Sequence, residues 1–346
     1  MKKGIISILL ALMSTATFTS DLFAFKKKVA QSGMTYLAVS LGARESAMGD
    51  ASVAAVRGIQ GCFYNPAVLA DIKGTEGCIN QVNWLVDTKL YGMAAAQSLG
   101  NLGTIGFDLV YMDYGQIVGT KRVDKSVNDR GFITTGDINV QEFAVGVSYS
   151  RRISDKFAFG MKVKCIHEDL GKAAIVVKEI TDDETGEIIK IREDKNWKLN
   201  HWGMDFGTIY HTGFKSLAFA MFMQNFSTDM KYWYEEFQLP MSLRLGMSMD
   251  MTDFFMEDNE NLAVNFAIDA INPNDYTERI HIGTEVVCLK RFALRTGYKF
   301  NHDVESFTFG MGINFEIAGC SAVLDYGFTR ANYFKDINRF SVHFSF

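Results

Sequence analysis

The chain lacks any apolar run long enough to cross a bilayer as a helix, which takes about 20 residues. Charged or glycine-rich positions interrupt every apolar stretch after the N-terminus. Proline is scarce, with only Pro66, Pro240 and Pro273, and each lies in a loop or at the end of a predicted strand. A basic excess is also absent, because the formal net charge is -5. These absences exclude helical membrane spans and argue against nucleic acid as a partner.

Cysteine is sparse and scattered, without the CxxC or Cys/His spacing of a metal site. The five cysteines are Cys62, Cys78, Cys165, Cys288 and Cys320. Several lie on the apolar phase of predicted strands, where cysteine behaves as a small hydrophobic residue. We expect no metal site, and a Cys62–Cys78 disulfide stays open as an alternative.

Catalytic motifs are missing as well. The chain has no nucleophile elbow, HExxH, P-loop or dinucleotide fingerprint. Its six histidines are scattered, and His167 precedes Glu168 and Asp169 where a predicted strand becomes a loop, which indicates a solvated position. We therefore expect no enzyme and no cofactor.

Residues 1–24 have the layout of a secretory signal peptide. Lys2 and Lys3 form a basic start, residues 5–13 (IISILLALM) form a short apolar core, and Ala16 and Ala24 bracket the cleavage region. No cysteine follows that would mark a lipoprotein. A buried N-terminal helix is the alternative, but the pattern favours an exported protein.

From residue 77 onward, apolar and polar residues alternate with a period of two, which is typical of strands with two unlike faces. In the last segment Phe340, Val342, Phe344 and Phe346 share one phase, and polar residues share the other. The alternation predicts fourteen strands of approximate bounds 77–87, 90–99, 103–114, 139–151, 156–168, 200–211, 215–225, 239–251, 261–270, 278–288, 291–300, 304–315, 320–330 and 337–346.

The connections between these strands differ in length. Those after even-numbered strands are tight, apart from 252–261. Those after odd-numbered strands include the long ones, 115–138, 169–199 and 226–238, of which the first two are polar and 169–199 carries a hairpin signal at 184–187, whereas 88–89 and 303–304 are short. Bacterial outer-membrane barrels have this asymmetry. A soluble β-sandwich would alternate too, but export, strand length and an aromatic apolar phase favour a transmembrane, all-β barrel over 77–346. Its lipid-facing wall would include Phe346, and its location would be the bacterial outer membrane.

Residues 25–76 do not alternate, and they are rich in alanine and glycine, with a short helix predicted near 37–48. A fourteen-strand barrel is too wide for side chains alone to fill. We therefore predict that this segment packs in the lumen as a plug or hatch. A disordered tail is the alternative, against which its apolar content argues.

Two motifs in this segment carry a family resemblance. Residues 42–51 (GARESAMGDA) and 63–70 (FYNPAVLA) resemble the N-terminal signature of the PorV/PorQ family, which is similar to FadL-type fatty acid transporters. Val68 departs from that signature, which has glycine there. The resemblance implies a fourteen-strand barrel with an N-terminal hatch. Asn65-Pro66 reads as a turn, and Arg44 and Asp50 are expected to pair with each other or to anchor the hatch to the wall, as ordinary structural residues or as a binding site.

The PorV/PorQ resemblance implies a role in type IX secretion, in which such proteins receive the C-terminal domains of secreted cargo and pass them to other secretion-system proteins. The long loops would make the contact. Tyr232, Trp233 and Tyr234 are candidate partner-binding residues, because tryptophan and tyrosine dominate interface energetics. An interfacial aromatic girdle is the alternative.

The second functional hypothesis is FadL-like uptake of a hydrophobic small molecule. It requires an apolar path through the lumen. The predicted lumen phase instead carries seven charged residues, namely Lys162, Lys164, Arg244, Asp250, Arg295, Lys299 and Asp325. This polarity favours protein binding over a lipid path, while the ligand or cargo itself stays open.

Overall fold

The computed structural model describes residues 32–181, 188–254, 261–317 and 319–346, without the side chains of 173–192 and 317. The predicted signal peptide over 1–24 lies outside the described residues. So do the first residues of the predicted plug, 25–31, and the hairpin signal at 184–187.

Fourteen antiparallel strands close into a barrel. Each wall strand pairs with the wall strands before and after it in the chain, and the first, β1, pairs with the last, β18. Two short hairpins, β4–β5 and β10–β11, lie outside this wall. The strands are β1 Thr75–Asn83, β2 Lys89–Ser98, β3 Thr104–Asp113, β4 Ile117–Arg122, β5 Phe132–Ile138, β6 Gln141–Ser154, β7 Phe157–Thr181, β8 Ile188–His211, β9 Ala218–Phe226, β10 Met230–Lys231, β11 Glu236–Phe237, β12 Ser242–Asp250, β13 Leu262–Pro273, β14 Arg279–Cys288, β15 Phe292–Phe300, β16 Glu305–Ile317, β17 Cys320–Ala331 and β18 Ile337–Ser345. The predicted barrel of fourteen strands is confirmed.

The two faces of the wall follow the predicted alternation. In β15, Ala293, Arg295 and Lys299 are buried inside, whereas Leu294 and Tyr298 are exposed outside. Phe346 is likewise exposed. An apolar outer face suits lipid, and a polar inner face suits the lumen.

The two ends of the barrel differ. Tight turns join β2 to β3, β6 to β7 and β14 to β15 at what we call the turn end. The connections from β3 to β6, β7 to β8 and β9 to β12 are long, and they mark the loop end. Outer-membrane barrels keep short turns in the periplasm and long loops outside the cell, so the loop end faces outward.

The bounds of β7, β8 and β1 differ most from the sequence prediction. β7 and β8 run for 25 and 24 residues, so they continue beyond the wall as a paired hairpin where a polar connection was predicted. β1 ends at Asn83 rather than 87, because Val86 (φ 55°) and Asp87 (φ 60°) adopt left-handed backbone angles that a strand cannot contain.

Residues 32–72, which we call the N-terminal segment, lie inside the barrel. Its helices are short: 3-10 turns at Thr35–Ala38, Gly58–Gln60 and Pro66–Asp71, with α1 at Ala43–Ala47 and α2 at Gly61–Tyr64. The single helix predicted near 37–48 is therefore split, because Val39 and Gly42 are extended (ψ 129° and 130°). Further 3-10 turns occur in the connections, at Leu85–Asp87, Gly100–Leu102 and Met251–Phe254. No helix among the described residues is long and apolar enough to cross a membrane.

The core of the molecule lies between the N-terminal segment and the wall. Tyr36 and Leu41 pack against Val82, Leu90 and Val110 of the first three strands. Burying such a side chain contributes about 1.5–3 kcal/mol. The segment is therefore held by apolar contacts as well as by the polar contacts described below.

Glycines on the inner face let the segment approach the wall closely. A Cβ on Gly283 would overlap the carbonyl oxygen of Met48, and a Cβ on Gly160 would overlap the backbone of Pro66. Side chains at these wall positions would hold the segment away from the strands. The inner-face glycines thus form the surface on which the N-terminal segment sits.

Candidate functional site

Arg44 joins α1 to strand β14. Its Nε and Nη2 donate to the two carboxylate oxygens of Glu285 at 2.8 and 2.7 Å. Glu285 also accepts from Arg295 Nε at 2.7 Å, and Arg295 in turn binds Asp325 at 2.6 Å. Bidentate arginine–carboxylate pairs fix geometry as well as charge. Arg44 therefore contacts the wall, which was one of the two arrangements considered for it.

Asp50 joins the segment to strand β15. Its carboxylate accepts hydrogen bonds from Lys299 Nζ and from the hydroxyl of Ser40. Lys299 also donates to Glu305 at 2.7 Å, and Arg339 Nε donates to the Ser40 carbonyl at 2.9 Å. Arg44 and Asp50 thus bind neighbouring strands of the wall rather than each other.

Asn65 and Pro66 form a buried turn against strand β8. Asn65 Oδ1 accepts from the Ala67 amide at 3.1 Å, which caps the 3-10 turn that Pro66 begins. Asn65 Nδ2 donates to the carbonyls of Val53 and Thr208 at 3.0 and 3.2 Å. One side chain therefore satisfies backbone groups in the segment and in the wall.

Two lysines on β7 pair with acids on β3 and β8. Lys162 Nζ lies 2.7 Å from an Asp108 oxygen and donates to the Cys62 carbonyl at 3.0 Å. Lys164 Nζ donates to both oxygens of Asp205 at 2.8 and 2.9 Å. Together with the contacts above, most of the charge inside the barrel is matched by a partner of opposite sign. Cys62 itself is a buried free thiol, as is Cys78, so the alternative disulfide is not formed.

Two of the seven charges predicted in the lumen depart from this pattern. Asp250 lies at the turn end and accepts from the amide and hydroxyl of Thr252 at 2.9 and 2.6 Å. Arg244 lies near the loop end, and it has no hydrogen-bond or ion-pair partner within the described ranges of the chain. The five others, Lys162, Lys164, Arg295, Lys299 and Asp325, are paired.

A cavity of about 370 Å³ opens near Arg244 at the loop end, between the N-terminal segment and the wall. Ser242, Arg279 and His281 also line it, and sequence reasoning did not single them out. Each lies on the inner phase of a predicted strand. Their proximity depends on the pairing of β12, β13 and β14, which one sequence does not reveal.

Tyr232, Trp233 and Tyr234 lie on the connection between β9 and β12 at the loop end, but they are not equivalent. Tyr232 is half-buried, stacks on Phe237 with ring centroids 5.7 Å apart, and donates its hydroxyl to Glu168. Burial, with the nearby carboxylate, raises the pKa of Tyr232 above its ordinary value. Tyr232 is thus fixed by neighbours within the chain.

Trp233 and Tyr234 are presented to solvent. They are 43% and 80% exposed, and their rings meet edge to face at 5.2 Å. Lys195 Nζ, from the β7–β8 hairpin, lies 3.4 Å from the centroid of the Trp233 ring. This cation–π contact holds the tryptophan against a second long connection.

The structure is similar to those of outer-membrane channels. A FadL homologue of Pseudomonas aeruginosa superposes with a TM-score of 0.51 at 10% identity, over 93% of this chain and 99% of that one. The toluene transporter TodX of Pseudomonas putida gives 0.50 at 13% identity, over 92% and 99%. The CymD monoaromatic hydrocarbon channel gives 0.50 at 12% identity, over 89% and 98%. At these identities the likeness shows the fold alone, that of an outer-membrane β-barrel.

Sequence comparison identifies the family. No curated protein matches the chain. The model of the type IX secretion system membrane protein family PorP/SprF matches residues 131–342, which is most of the chain and all but the first part of the barrel. PorP/SprF is a different family from PorV/PorQ, so the name suggested by residues 42–70 is not confirmed, although the association with type IX secretion is. The chain belongs to the PorP/SprF family of type IX secretion system membrane proteins.

Proposed function

We propose that this outer-membrane barrel binds a secreted protein at its loop end, and that the N-terminal segment acts as a plug that closes the lumen. The main observation in support of the binding role is the exposed pair of aromatic side chains, Trp233 and Tyr234. Partners of the proposed surface are the C-terminal domains of secreted cargo and other secretion-system proteins.

The plug is supported by contacts spread around the wall. Arg44 binds β14, Asp50 binds β15, and Asn65 binds β8. A segment tied to strands on separate parts of a barrel blocks the direct path between its ends. Such a barrel serves poorly as an open pore for solutes.

The binding surface is supported by the contrast between neighbouring aromatic side chains. Tyr232 is occupied by contacts within the chain, so it positions the loop. Trp233 and Tyr234 leave large rings in water, and large exposed aromatics at a loop tip suit a partner interface. An aromatic girdle at the lipid interface is the other reading of the same residues.

The test uses a purified C-terminal domain from a type IX cargo protein of the same genome as the probe. Replacing Trp233 and Tyr234 with alanine should weaken its binding by about 2 kcal/mol, or roughly 30-fold in Kd, if the pair is a hot spot. The matched control replaces Tyr333, which is 81% exposed on the loop between β17 and β18. It should leave binding unchanged.

The binding role would be contradicted if the unmodified protein, the double variant and the Tyr333 variant bind the probe equally. Heat-modifiable gel migration shows that each barrel is folded. Loss of membrane insertion in the double variant would instead support a girdle. Either result leaves the plug to be tested separately, by protease protection of residues 32–72.

Uptake of a hydrophobic small molecule is the second candidate function. One observation favours it: the loop-end cavity is partly apolar, lined by Trp84, Leu85, Met112 and Ile271, and its size lies in the range of small-molecule pockets. Mass spectrometry of the purified barrel that finds a stoichiometric fatty acid or hydrocarbon, together with no cargo binding, would favour uptake.

A further inference from the structure

Arg244 and Arg279 break the pairing of charges seen elsewhere inside the barrel. Arg44, Arg295 and Lys299 each have a carboxylate partner. In the part of the chain that the structure describes, neither Arg244 nor Arg279 donates to any acceptor, and the Nε of each is buried without a hydrogen bond. Both side chains are partly exposed, and the Arg279 guanidinium lies 4.7 Å from the centroid of the Tyr276 ring. Neither has, among the described residues, the kind of carboxylate partner that Arg44, Arg295 and Lys299 have.

The strand register brings the two arginines together. Arg244 on β12 pairs with Ile271 on β13, and Ile271 pairs with Arg279 on β14. Neighbouring strands lie about 4.8 Å apart, so the arginines stand two strands apart at the same height. His281 lies two residues further into the barrel than Arg279, and Ser242 lies two residues closer to the mouth than Arg244.

His281 and Ser242 supply unused hydrogen-bonding groups to the same place. His281 is 4% exposed, and neither of its ring nitrogens has a hydrogen-bond partner among the residues that the structure describes. Ser242 is 5% exposed, and within the same described part of the chain its hydroxyl is also without a partner. All four side chains line the loop-end cavity. Buried polar atoms are normally hydrogen-bonded, but the Ser242 hydroxyl, both ring nitrogens of His281 and the Nε atoms of the two arginines meet at one cavity without a partner in the described residues.

The acids of the cavity are either committed or placed at its rim. Asp50 and Glu305 share Lys299. Asp275 and Asp303 lie in the turns after β13 and β15, at the mouth, and Asp275 accepts from the Ser32 hydroxyl. The inner wall of the cavity around Arg244 therefore offers donors and positive charge.

We propose that Ser242, Arg244, Arg279 and His281 bind a carboxylate or phosphate group that enters the cavity from the loop end. A guanidinium group can donate two parallel hydrogen bonds to the oxygens of such an anion. The serine hydroxyl and one imidazole N–H are further donors. Trp84, Leu85 and Met112 line the same cavity, so the ligand carries an apolar part beside its anionic group. The site does not depend on the proposed capture of cargo by Trp233 and Tyr234.

The test measures binding of small soluble probes to the full protein in lipid nanodiscs by calorimetry. Hexanoate and hexyl phosphate represent an amphiphile, and hexanol is their neutral control. A leucine tripeptide with a free C-terminal carboxylate represents a chain end, and its amide is the control. We expect the anionic member of at least one pair to bind and its neutral counterpart not to bind.

Variants locate the site. Arg244→Met and Arg279→Met should each weaken anion binding by about 10- to 100-fold, the value of charged hydrogen bonds. Ser242→Ala is a milder change that keeps the fold if an arginine variant does not insert. Arg330→Met is the matched control, because Arg330 lies at the loop end of β17 but is exposed on the opposite face.

The site is supported if the anionic probes bind, the arginine variants lose this binding and Arg330→Met keeps it. Binding of hexanoate or hexyl phosphate would then identify the ligand as an amphiphile, and binding of the tripeptide would identify it as a peptide C-terminus. Binding of hexanol as tight as that of hexanoate would overturn the proposal. So would anion binding that the arginine variants leave unchanged, or no anion binding to the unmodified protein.

Discussion

Replacing Glu285 with glutamine tests what holds the N-terminal segment to the wall. The Glu285 carboxylate accepts from Arg44 at two positions, from Arg295 at 2.7 Å and from Asn265 at 3.1 Å. Glutamine keeps the size of the side chain but replaces one acceptor oxygen with an NH₂ group that faces donors. Arg44 then keeps only Glu45 at 3.3 Å as an ion-pair partner among the described residues.

The magnitude follows from the loss of one side of a buried pair. Removing one partner leaves an uncompensated buried charge and costs about 3–5 kcal/mol. Arg295 keeps its contact with Asp325 at 2.6 Å, so most of the cost should fall on Arg44 and α1. At about 1.4 kcal/mol per factor of ten, opening of the segment should become roughly 100- to 4,000-fold more frequent.

Hydrogen–deuterium exchange of backbone amides in the purified barrel measures this opening. Residues 43–56 should exchange faster in Glu285→Gln, while the ladder between β17 and β18 should keep its protection. Glu278→Gln, the same change at an exposed position before β14, is the control. If the Glu285→Gln barrel is folded and exchange over 43–56 is unchanged, the Arg44–Glu285 ion pair does not hold the segment in place. Apolar packing would then be what holds it.

Two further predictions concern single positions. Gly283→Val should displace the segment, because its side chain would overlap the Met48 carbonyl, and limited proteolysis should then cut within 43–56; an uncut segment would contradict the close approach. His302 accepts amide hydrogen bonds from Val304 and Glu305 at 3.3 and 2.9 Å, and burial lowers its pKa to about 4. Since the unfolded chain takes up the proton near pH 6.5 and the folded turn does not, stability of the turn should fall as pH drops from about 6.5 to 4. Histidine C2-proton exchange should therefore give a midpoint near 4, and a midpoint near 6.5 would contradict this.

The strands of the wall were predictable because lipid on the outside and a polar lumen on the inside impose a simple alternation of apolar and polar residues. A strand turns alternate side chains to opposite faces, lipid requires apolar groups on one face, and the lumen tolerates polar groups on the other. In β18, Phe340 and Phe344 therefore face out, whereas Arg339 and Ser341 face in. Each strand reveals this by itself, so strand number and phase follow from local sequence.

The contacts inside the barrel were not predictable in the same way. Arg44 and Glu285 are 241 positions apart, and their meeting depends on how the segment is threaded and on the register of every strand between them. In the sequence, the glycines of the inner phase alternate with apolar residues as the polar lumen residues do, and nothing marks them as contact points. In the structure, Gly283 and Gly160 are the places where the segment touches the wall.

The family name also shows where local motifs mislead. Residues 42–70 suggested PorV/PorQ, but this stretch mostly serves to seat a segment inside a wide barrel through Arg44, Asp50 and Asn65. Any barrel with such a segment faces the same packing problem. The family match instead rests on residues 131–342, which include two of the three long connections and most of the wall.

Buried ion pairs add little net stability, because desolvation offsets most of their attraction. The pairs of Arg44 and Asp50 with the wall are therefore better explained as specifying one position of the segment than as strengthening the fold. Arg244 and Arg279 differ, because neither contacts a carboxylate in the residues described, although Arg279 lies over the Tyr276 ring. Their presence at the one end of the barrel that faces outward is what an anionic ligand, rather than the fold, would require.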